Sequence, residues 1–178
     1  MKTIAIIGPN GQLGTDLVKT FTAKGWEVLP LRHSEIEITN IDSVNQTLKS
    51  IKFDWIINTA AFHKVDECEK DTAMAWHVNA LGQKNVATIA DEQGAHSVFI
   101  SSDYVFSGEK GSPYLPSDPV SPVNAYGHSK AGGELSSLSV SDRNIVMRIS
   151  SVFGSAGSSG KGGNFVETII NKAKSGDE

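Results

Sequence analysis

Short apolar, β-favouring runs alternate along this chain with stretches that have the residue spacing of a helix. The run "TIAII" at Thr3–Ile7 leads into a helical stretch at Gln12–Ala23, and the same order recurs further along the sequence. Strands that are apolar on both faces and separated by helices form a parallel sheet with helices packed on each side. The alternation therefore predicts an α/β fold with a doubly wound parallel sheet of the Rossmann type.

The predicted elements follow this alternation. Strands are expected at Thr3–Ile7, Glu27–Leu31, Asp54–Asn58, Ser97–Ser101 and Asn144–Ile149. Helices are expected at Gln12–Ala23, Ile41–Ile51, Asp71–Glu92, Val123–Leu138 and Asn164–Lys174. Two stretches break the rhythm. Residues 107–122 hold several prolines and predict a long loop that is functional or disordered, and residues 154–163 (GSAGSSGKGG) predict a flexible segment.

Composition narrows the class of protein. The chain has 178 residues and a formal net charge of −4, which is enough for one domain with a sizeable core and argues against nucleic acid as the main partner. No apolar run has the length of a membrane span, and the first residues lack the pattern of a signal peptide. Cys68 is the single cysteine, so no internal disulfide can form. We therefore expect a cytoplasmic protein without a membrane partner.

A glycine-rich turn follows the first predicted strand. Gly8, Gly11 and Gly14 lie three residues apart in "IAIIGPNGQLG", directly between a strand and a helix. Glycine at these places permits a tight turn, close approach of a pyrophosphate to the backbone, and close packing of the helix on the sheet. The pattern predicts a dinucleotide site, and the alternative is a purely structural strand–helix turn.

The end of the second predicted strand bears on the choice of cofactor. An acidic residue at this place binds the adenosine ribose of NAD, whereas an arginine can pair with the 2′-phosphate of NADP. The strand ends at Leu31 and is followed by Arg32. Arg32 therefore favours NADPH slightly over NADH, and the alternative is a solvated surface arginine.

A tyrosine and a lysine lie four residues apart in "AYGHSKAGGE". On a helix, Tyr126 and Lys130 lie one turn apart on the same face, where a lysine ammonium would lower the pKa of the phenol. The phenol could then exchange a proton with a carbonyl oxygen as hydride arrives at the carbon. Ser101 and Ser102 end the preceding strand, at the sheet edge where parallel sheets bind ligands. The three signals together predict a reductase site with Ser102, Tyr126 and Lys130 as its catalytic residues.

Several stretches together resemble the extended branch of the short-chain dehydrogenase/reductase superfamily, which modifies nucleotide sugars, and within it the dTDP-4-dehydrorhamnose reductases. The matching stretches are "GPNGQLG", "EIEITN", "INTAAFHKVDECEKD", "WHVNALGQKNVA", "SSDYVFSGEKGSPYLPSDPVSPVNAYGHSKAGGE" and "RISSVFG". The resemblance implies NAD(P)H-dependent reduction of the 4-keto group of a nucleotide-linked deoxysugar. It implies a nucleotide-sugar substrate and leaves a homodimer open.

The resemblance also implies a role for each matching position. Tyr126 would donate the proton, Lys130 would bind the nicotinamide ribose, and Ser102 stands where the family usually has threonine. Positions implied to bind the cofactor are Gly8, Asn10, Gly11, Gln12, Leu13, Gly14, Glu37, Ile38, Ala60, Ala61, Phe62, Tyr126 and Lys130, together with Arg32 from the strand end. Positions implied to face the sugar are Ser102, Asp103 and Tyr104. The family more often has aspartate where Glu37 stands.

The resemblance also divides the chain. Residues 1–150 would be the NAD(P)-binding Rossmann domain, and residues 151–178 would begin a C-terminal substrate lobe. Members of the family continue past the segment "GGNFVETIINKAKSG", so the substrate lobe is expected to be incomplete in this chain.

Other interpretations stay open at this point. The same fold serves as a non-catalytic, nucleotide-binding regulatory subunit, and nucleotide-sugar epimerases or dehydratases hold NAD⁺ tightly and use an extra acid–base group such as Asp103. No metal is expected at His63, Asp66, Cys68 and Glu69, because their spacing matches no common zinc pattern. Asn79 is expected to be a buried residue that bonds the backbone, and His128 a surface residue.

Overall fold

The computed structural model describes residues 1–157 and 165–176. Its centre is a parallel sheet in the order β2-β1-β3-β4-β5. The strands are β1 (Thr3–Ile7), β2 (Glu27–Leu31), β3 (Trp55–Asn58), β4 (His96–Ser102) and β5 (Ile145–Ile149). This order, which reverses between β1 and β3, is that of a doubly wound sheet and confirms the predicted fold class. The strand bounds differ from the predicted ones by one residue at most.

Helices connect the strands. They are α1 (Gln12–Ala23), α2 (Ile41–Lys49), α3 (Val65–Lys70), α4 (Thr72–Trp76), α5 (Gln83–Glu92), α6 (Ala125–Leu138) and α7 (Phe165–Ser175). The stretch predicted as one helix at Asp71–Glu92 is helical but has three parts. A π-helical turn at His77–Gly82 follows α4 and leads into α5. The short α3 was not predicted, since "VDECEK" offers few apolar residues to set a helical period.

Side-chain caps fix where α2 and α6 begin. Asn40 accepts hydrogen bonds from the backbone N–H groups of Asp42 and Ser43 at the start of α2. Asn124 accepts a bond of 2.7 Å from the N–H of Gly127 at the start of α6. Such caps satisfy donors that a helix cannot satisfy itself, and the second one sets the first turn that carries Tyr126.

The core lies on both faces of the sheet. One face packs β1 and β3 against α2 and α5 through Ala5, Ile7, Val44, Leu48, Ile56, Val86 and Ile89. The other face packs Ile4, Ile6, Ile57 and Val98 against Leu17, Val18 and Phe21 of α1. Burial on both faces accounts for strands that are nearly all apolar. In the part of the chain that the structure describes, no helix is long and apolar enough to cross a membrane.

The loop at residues 107–122 is ordered by its own side chains. The hydroxyl of Tyr114 accepts hydrogen bonds from the N–H groups of Gly108 and Lys110, and its ring stacks on Phe106 with centroids 4.1 Å apart. Lys110 forms an ion pair of 2.5 Å with Asp118. These contacts give the loop a defined conformation. Of the two predicted alternatives, a functional or a disordered loop, the second therefore does not hold. Within the predicted flexible segment, residues 158–163 lie outside the described residues, as does Asn164 at the predicted start of the last helix.

Candidate active site

The candidate site lies along the carboxyl edge of the sheet. Because all five strands run parallel, the segments that follow them lie at one edge. The glycine-rich turn follows β1, residues 60–62 follow β3, and residues 102–104 follow β4. The fold thus places the predicted cofactor and catalytic segments along a common edge of the sheet.

The glycine-rich turn has little room for side chains. Gly8 has a φ of +76°, and a Cβ at Gly14 would lie 2.1 Å from the carbonyl oxygen of Gly8. Gly11 is the N-cap of α1, and no side chain caps that end of the helix. The first N–H groups of α1 therefore face the turn without a side-chain acceptor, which is the arrangement that binds a pyrophosphate at a helix N-terminus.

The outer residues of the turn differ in their surroundings. Asn10 is exposed and Leu13 is half-buried. Gln12 donates a hydrogen bond of 2.6 Å from Nε2 to the carbonyl oxygen of Val152, in the segment that follows β5. Ser155, further along that segment, donates from its backbone N–H to Asp16 at 2.9 Å. Residues 152–155 therefore lie against the N-terminal half of α1, beside the predicted pyrophosphate position.

Tyr126 and Ser102 meet at the same edge. The phenol hydroxyl of Tyr126 lies beside the Ser102 side chain, and the centroid of the Tyr126 ring lies 5.6 Å from that of Tyr104. A Cβ at Gly127 would lie 2.2 Å from the carbonyl oxygen of Tyr104, so the first turn of α6 packs directly on the 3₁₀ turn at Asp103–Val105. The structure therefore brings together the phenol and the serine hydroxyl that the sequence predicted.

Lys130 lies one turn further along α6 and is only 2% exposed. Its Nζ is 4.2 Å from the centroid of the Phe99 ring. Burial lowers the pKa of Lys130 to about 7, and the negative charge of Glu134 opposes that shift. The amino group of Lys130 is thus held in an apolar environment rather than in solvent, which disfavours its charged form.

The predicted direction of the Tyr126 pKa is wrong in this structure. Burial raises the pKa of Tyr126 to about 12, against the opposing effect of the hydrogen bond with Ser102. A lysine ammonium would lower that pKa, but Lys130 lies over Phe99 and is not among the groups that act on the phenol. At neutral pH the phenol is therefore protonated, which suits a proton donor.

Asn79 lies in the π-helical segment, and its hydrogen bonds hold the first turn of α6 in place. Its Oδ1 accepts from the N–H of Phe62 at 2.9 Å, and its Nδ2 donates to the carbonyl oxygen of Phe62 and to Oγ of Ser129. Ser129 in turn donates to the carbonyl oxygen of Tyr126 at 2.7 Å. The prediction of a buried asparagine that bonds backbone is confirmed, and Asn79 links the segment after β3 to the first turn of α6.

Asp103 lies between two serines. It accepts hydrogen bonds from Oγ of Ser102 at 3.0 Å and from Oγ of Ser150 at 2.5 Å. Tyr104 is 44% exposed at the mouth of the cleft, and its N–H donates to Oγ of Ser102 at 3.2 Å. The Ser102 hydroxyl is therefore oriented by backbone and carboxylate together.

The predicted adenine side is more open. Arg32 is exposed, and its Nη1 lies 3.7 Å from a carboxylate oxygen of Glu35. Glu37 accepts hydrogen bonds from the backbone and side chain of Thr39, while the Ile38 side chain is buried in the core. The carboxylate of Glu37 and the side chain of Ile38 thus have partners in the fold, and their roles toward a cofactor stay predictions.

The segment after β3 forms the middle of the cleft. Residues Ala60, Ala61 and Phe62 are each half-buried. The N–H of Ala60 donates to Oδ1 of Asn58 at 3.0 Å, which fixes the exit of the chain from β3.

The acidic stretch that contains Cys68 has a structural role. Glu69 accepts a hydrogen bond of 2.7 Å from the N–H of Ala125 at the start of α6. Cys68 is buried, and burial raises the pKa of its thiol. Among the described residues, no group of three or more histidine, cysteine or acidic side chains is arranged to hold a metal. His128 is exposed, as predicted.

Sequence reasoning missed Glu69 and Glu134. The bond of Glu69 to the N–H of Ala125 depends on the packing of α3 against α6, which the sequence does not show. Glu134 continues the spacing of Tyr126 and Lys130 by one more turn, and this spacing is the sequence signal that could have found it.

The buried Lys130 predicts a pH dependence of stability. Its pKa is about 7 in the folded chain and 10.5 as the ordinary value, so between these values the unfolded chain binds a proton that the folded chain has lost. The free energy of unfolding should therefore rise with pH between about pH 7 and 9.5, by at most about 1.4 kcal/mol per pH unit from this residue. Urea unfolding of the chain and of Lys130→Met across this range measures the effect. If the free energy of unfolding changes with pH in the same way in the wild-type chain and in Lys130→Met, Lys130 does not cause the rise.

Comparisons with known proteins bear on the family. A family model described as "RmlD substrate binding domain" matches residues 1–178. The chain is similar to a dTDP-4-dehydrorhamnose reductase of Aggregatibacter actinomycetemcomitans, with 39% identity over 99% of this chain and 59% of that protein. It is also similar to the spore coat polysaccharide biosynthesis protein SpsK of Bacillus subtilis, with 37% identity over the whole chain and 61% of that protein.

Solved structures agree. The dTDP-4-dehydrorhamnose reductase of Bacillus anthracis in complex with NADP superposes with a TM-score of 0.91 and 36% identity, over 98% of this chain and 61% of that one. This chain therefore spans about three fifths of the length of the relatives that it matches. The match over its whole length, together with the glycine-rich turn and the Ser102–Tyr126 pair, establishes that the chain belongs to the RmlD substrate-binding-domain family.

Proposed function

We propose that this chain carries the reducing site of a dTDP-4-dehydrorhamnose reductase type of enzyme, in which NAD(P)H reduces the 4-keto group of a nucleotide-linked deoxysugar to give dTDP-L-rhamnose. One observation carries the proposal. The hydroxyl group of Tyr126 lies beside the Ser102 side chain at the carboxyl edge of the sheet, with Lys130 one helical turn away. The names of the relatives and the NADP in the Bacillus anthracis structure support it.

The residues fit a dinucleotide. A Cβ at Gly14 would collide with the carbonyl oxygen of Gly8, so the turn needs glycine at this position. The N-terminus of α1 at Gly11 has no side-chain cap and favours a pyrophosphate. When bound, the nicotinamide supplies the hydride. Lys130 would hold hydroxyl groups of the nicotinamide ribose, and its burial one turn from Tyr126 supports this role.

The proton comes from the chain itself. Tyr126 keeps its phenol protonated at neutral pH because burial raises its pKa to about 12. As the keto oxygen gains negative charge, this phenol donates its proton to it, and Ser102 contributes a second hydroxyl that polarises the carbonyl. In this structure the Ser102 hydroxyl donates its single proton to Asp103 at 3.0 Å, so in the proposal it exchanges this bond for one to the keto oxygen when the sugar binds.

In the proposal, the sugar lies beside Tyr126 and Ser102, on the side where Tyr104 is exposed. Tyr104 is exposed at the cleft mouth beside Tyr126, and Asp103 follows Ser102 directly. Residues 151–178 begin the lobe that completes the substrate pocket, following the Rossmann domain at residues 1–150.

A turnover assay tests the proposed function. The full-length protein is incubated with dTDP-4-dehydrorhamnose and either NADPH or NADH, and loss of reduced cofactor is followed by absorbance. Consumption that requires the 4-keto sugar is the expected result. Stoichiometric NAD⁺ retained on the purified protein would favour an epimerase or dehydratase instead, and cofactor binding without turnover would favour a regulatory subunit.

Arg32 provides a test of cofactor preference. The exposed guanidinium at the end of β2 has only a 3.7 Å pairing with Glu35, so it is free to approach a 2′-phosphate. We expect Arg32→Ala to weaken NADPH binding about tenfold or more and to leave NADH binding within a few-fold, since a charge-assisted contact to phosphate is lost. Arg32→Lys, which keeps the charge, is the matched control. Equal losses for both cofactors, measured by fluorescence titration, would refute the phosphate contact.

A further inference from the structure

Ser150 directly follows strand β5 and reaches the candidate active site. The register of the sheet pairs Ser102 of β4 with Ile149 of β5. The residues that come next, Asp103 and Ser150, therefore leave the sheet at neighbouring positions. The Ser150 hydroxyl donates to Oδ2 of Asp103 at 2.5 Å, and the Ser102 hydroxyl donates to Oδ1 at 3.0 Å. The two serines thus bind different oxygens of one carboxylate.

The chain on both sides of Ser150 is fixed. Two residues earlier, Arg148 donates from Nε and Nη2 to the carboxylate of Glu134, at 2.8 and 2.7 Å. The next residue, Ser151, has a φ of +47°, and within residues 1–157 and 165–176 it is the only non-glycine residue with a positive φ. Left-handed backbone is costly for a residue with a side chain and persists where surrounding contacts impose it.

The contacts that impose this turn come from α1. Gln12 donates from Nε2 to the carbonyl oxygen of Val152 at 2.6 Å. Gly154 lies so close to α1 that a Cβ would be 2.0 Å from Oδ2 of Asp16. The segment after Ser150 is therefore packed onto the helix that begins at the glycine-rich turn. Since the sheet fixes the chain before Ser150 and α1 fixes the chain after it, the bond from Ser150 to the carboxylate starts from a held position.

The Ser102 hydroxyl can donate to Asp103 or to a substrate, but not to both. A hydroxyl has one proton to donate, and in this structure Ser102 donates it to Asp103. In the proposed function, this proton turns to the keto oxygen, and Oδ1 of Asp103 loses its donor. The bond from Ser150 to Oδ2 does not depend on the substrate. It therefore remains to hold the carboxylate while Ser102 turns.

We propose that Ser150 is a positioning residue whose hydroxyl holds the Asp103 carboxylate beside Ser102, so that Ser102 passes its hydrogen bond from Asp103 to the keto oxygen while the carboxylate stays in place. The effect on turnover rests on the proposed function. The position of the carboxylate is measured without turnover. Failure of the inference and failure of the proposed function are therefore separate results.

Ser150→Thr and Ser150→Val are a matched pair, because threonine and valine have nearly the same shape and only threonine keeps the hydroxyl. Ser150 is exposed, so an added methyl group can lie in solvent. In the full-length protein with dTDP-4-dehydrorhamnose and NADPH, kcat should fall at least about tenfold in Ser150→Val and stay within about threefold in Ser150→Thr, with KM nearly unchanged in both, as for an interaction that acts on the transition state. Equal kcat values in the two variants would overturn the proposal.

A second background separates positioning from a general disturbance of the β5 end. If Ser150 acts through Asp103 on Ser102, its removal has little left to disturb once the Ser102 hydroxyl is absent. Adding Ser150→Val to Ser102→Ala should therefore lower kcat by less than about threefold, because the two losses are coupled. A further loss larger than this in the double variant would overturn the proposal.

Crystal structures of the full-length Ser150 variants without substrate give a result that does not depend on turnover. The distance between Oγ of Ser102 and Oδ1 of Asp103 should exceed about 3.5 Å in Ser150→Val, beyond a hydrogen bond, and stay near 3.0 Å in Ser150→Thr. A carboxylate that stays in place in Ser150→Val would overturn the proposal. If the wild-type protein shows no turnover of the keto sugar, the proposed function fails, and these distances still decide whether Ser150 holds Asp103.

Discussion

Replacing Tyr126 with phenylalanine should lower turnover at least about a hundredfold, because the variant lacks the one proton that the proposed reduction takes from the chain. The ring stays in place, so its packing against Tyr104 and the cofactor site should remain. Cofactor affinity is therefore expected to stay within a few-fold of the wild-type value. Steady-state kinetics of the full-length protein, combined with fluorescence titration of NADPH, measures both quantities.

A neighbour on the same helix turn supplies the control. His128 is exposed and lies two residues from Tyr126, so His128→Ala should keep turnover within a few-fold. Turnover that is undiminished in Tyr126→Phe would remove Tyr126 from the role of acid. Equal losses in both variants would indicate that the first turn of α6 had been disturbed rather than the proton donor lost.

Replacing Gly14 with alanine should damage both the fold and the cofactor site. The added Cβ would lie 2.1 Å from the carbonyl oxygen of Gly8, and backbone atoms there cannot move aside without opening the turn. Overpacking of this kind costs about 1–3 kcal/mol. We therefore expect the free energy of unfolding to fall by about that amount and dinucleotide affinity to fall with it. Urea unfolding and NADPH titration measure the two effects.

Gly11 separates these effects. It has a φ of −75°, and a Cβ there would lie 3.4 Å from the carbonyl oxygen of Gly8, a distance that needs little adjustment. Gly11→Ala should therefore keep the free energy of unfolding within about 1 kcal/mol, as is usual where no large clash arises, but should weaken NADPH binding at least tenfold. Unchanged NADPH binding in Gly11→Ala would show that the pyrophosphate does not approach this turn.

The sheet could be predicted closely because its signal is local. Strands such as Thr3–Ile7 are apolar on both faces and end at glycine or polar residues, so their bounds follow from the sequence. Helix α3 was missed because its six residues carry too few apolar positions to show a period. The π-helical turn was missed as well, because it depends on how Asn79 bonds to Phe62 and Ser129 in the folded chain.

The meeting of Ser102 and Tyr126 could be predicted from the sequence, but the pKa values of the residues at the candidate site could not. Helical spacing places Tyr126 and Lys130 on one face, and the end of β4 supplies Ser102, so their meeting follows from the topology. The pKa of Tyr126 depends on burial and on groups from other elements, which spacing does not reveal. For the same reason the sequence does not predict that the Glu134 carboxylate accepts hydrogen bonds from Arg148 and Ser101.

Binding of NADPH to the isotopically labelled chain, followed through its backbone amide signals, tests the central claim most directly. The account predicts saturable shifts confined to the glycine-rich turn at residues 8–14, residues 60–62 and the first turn of α6, and their loss in Gly11→Ala. Shifts that are absent at millimolar NADPH, or that lie on the opposite edge of the sheet, would contradict it.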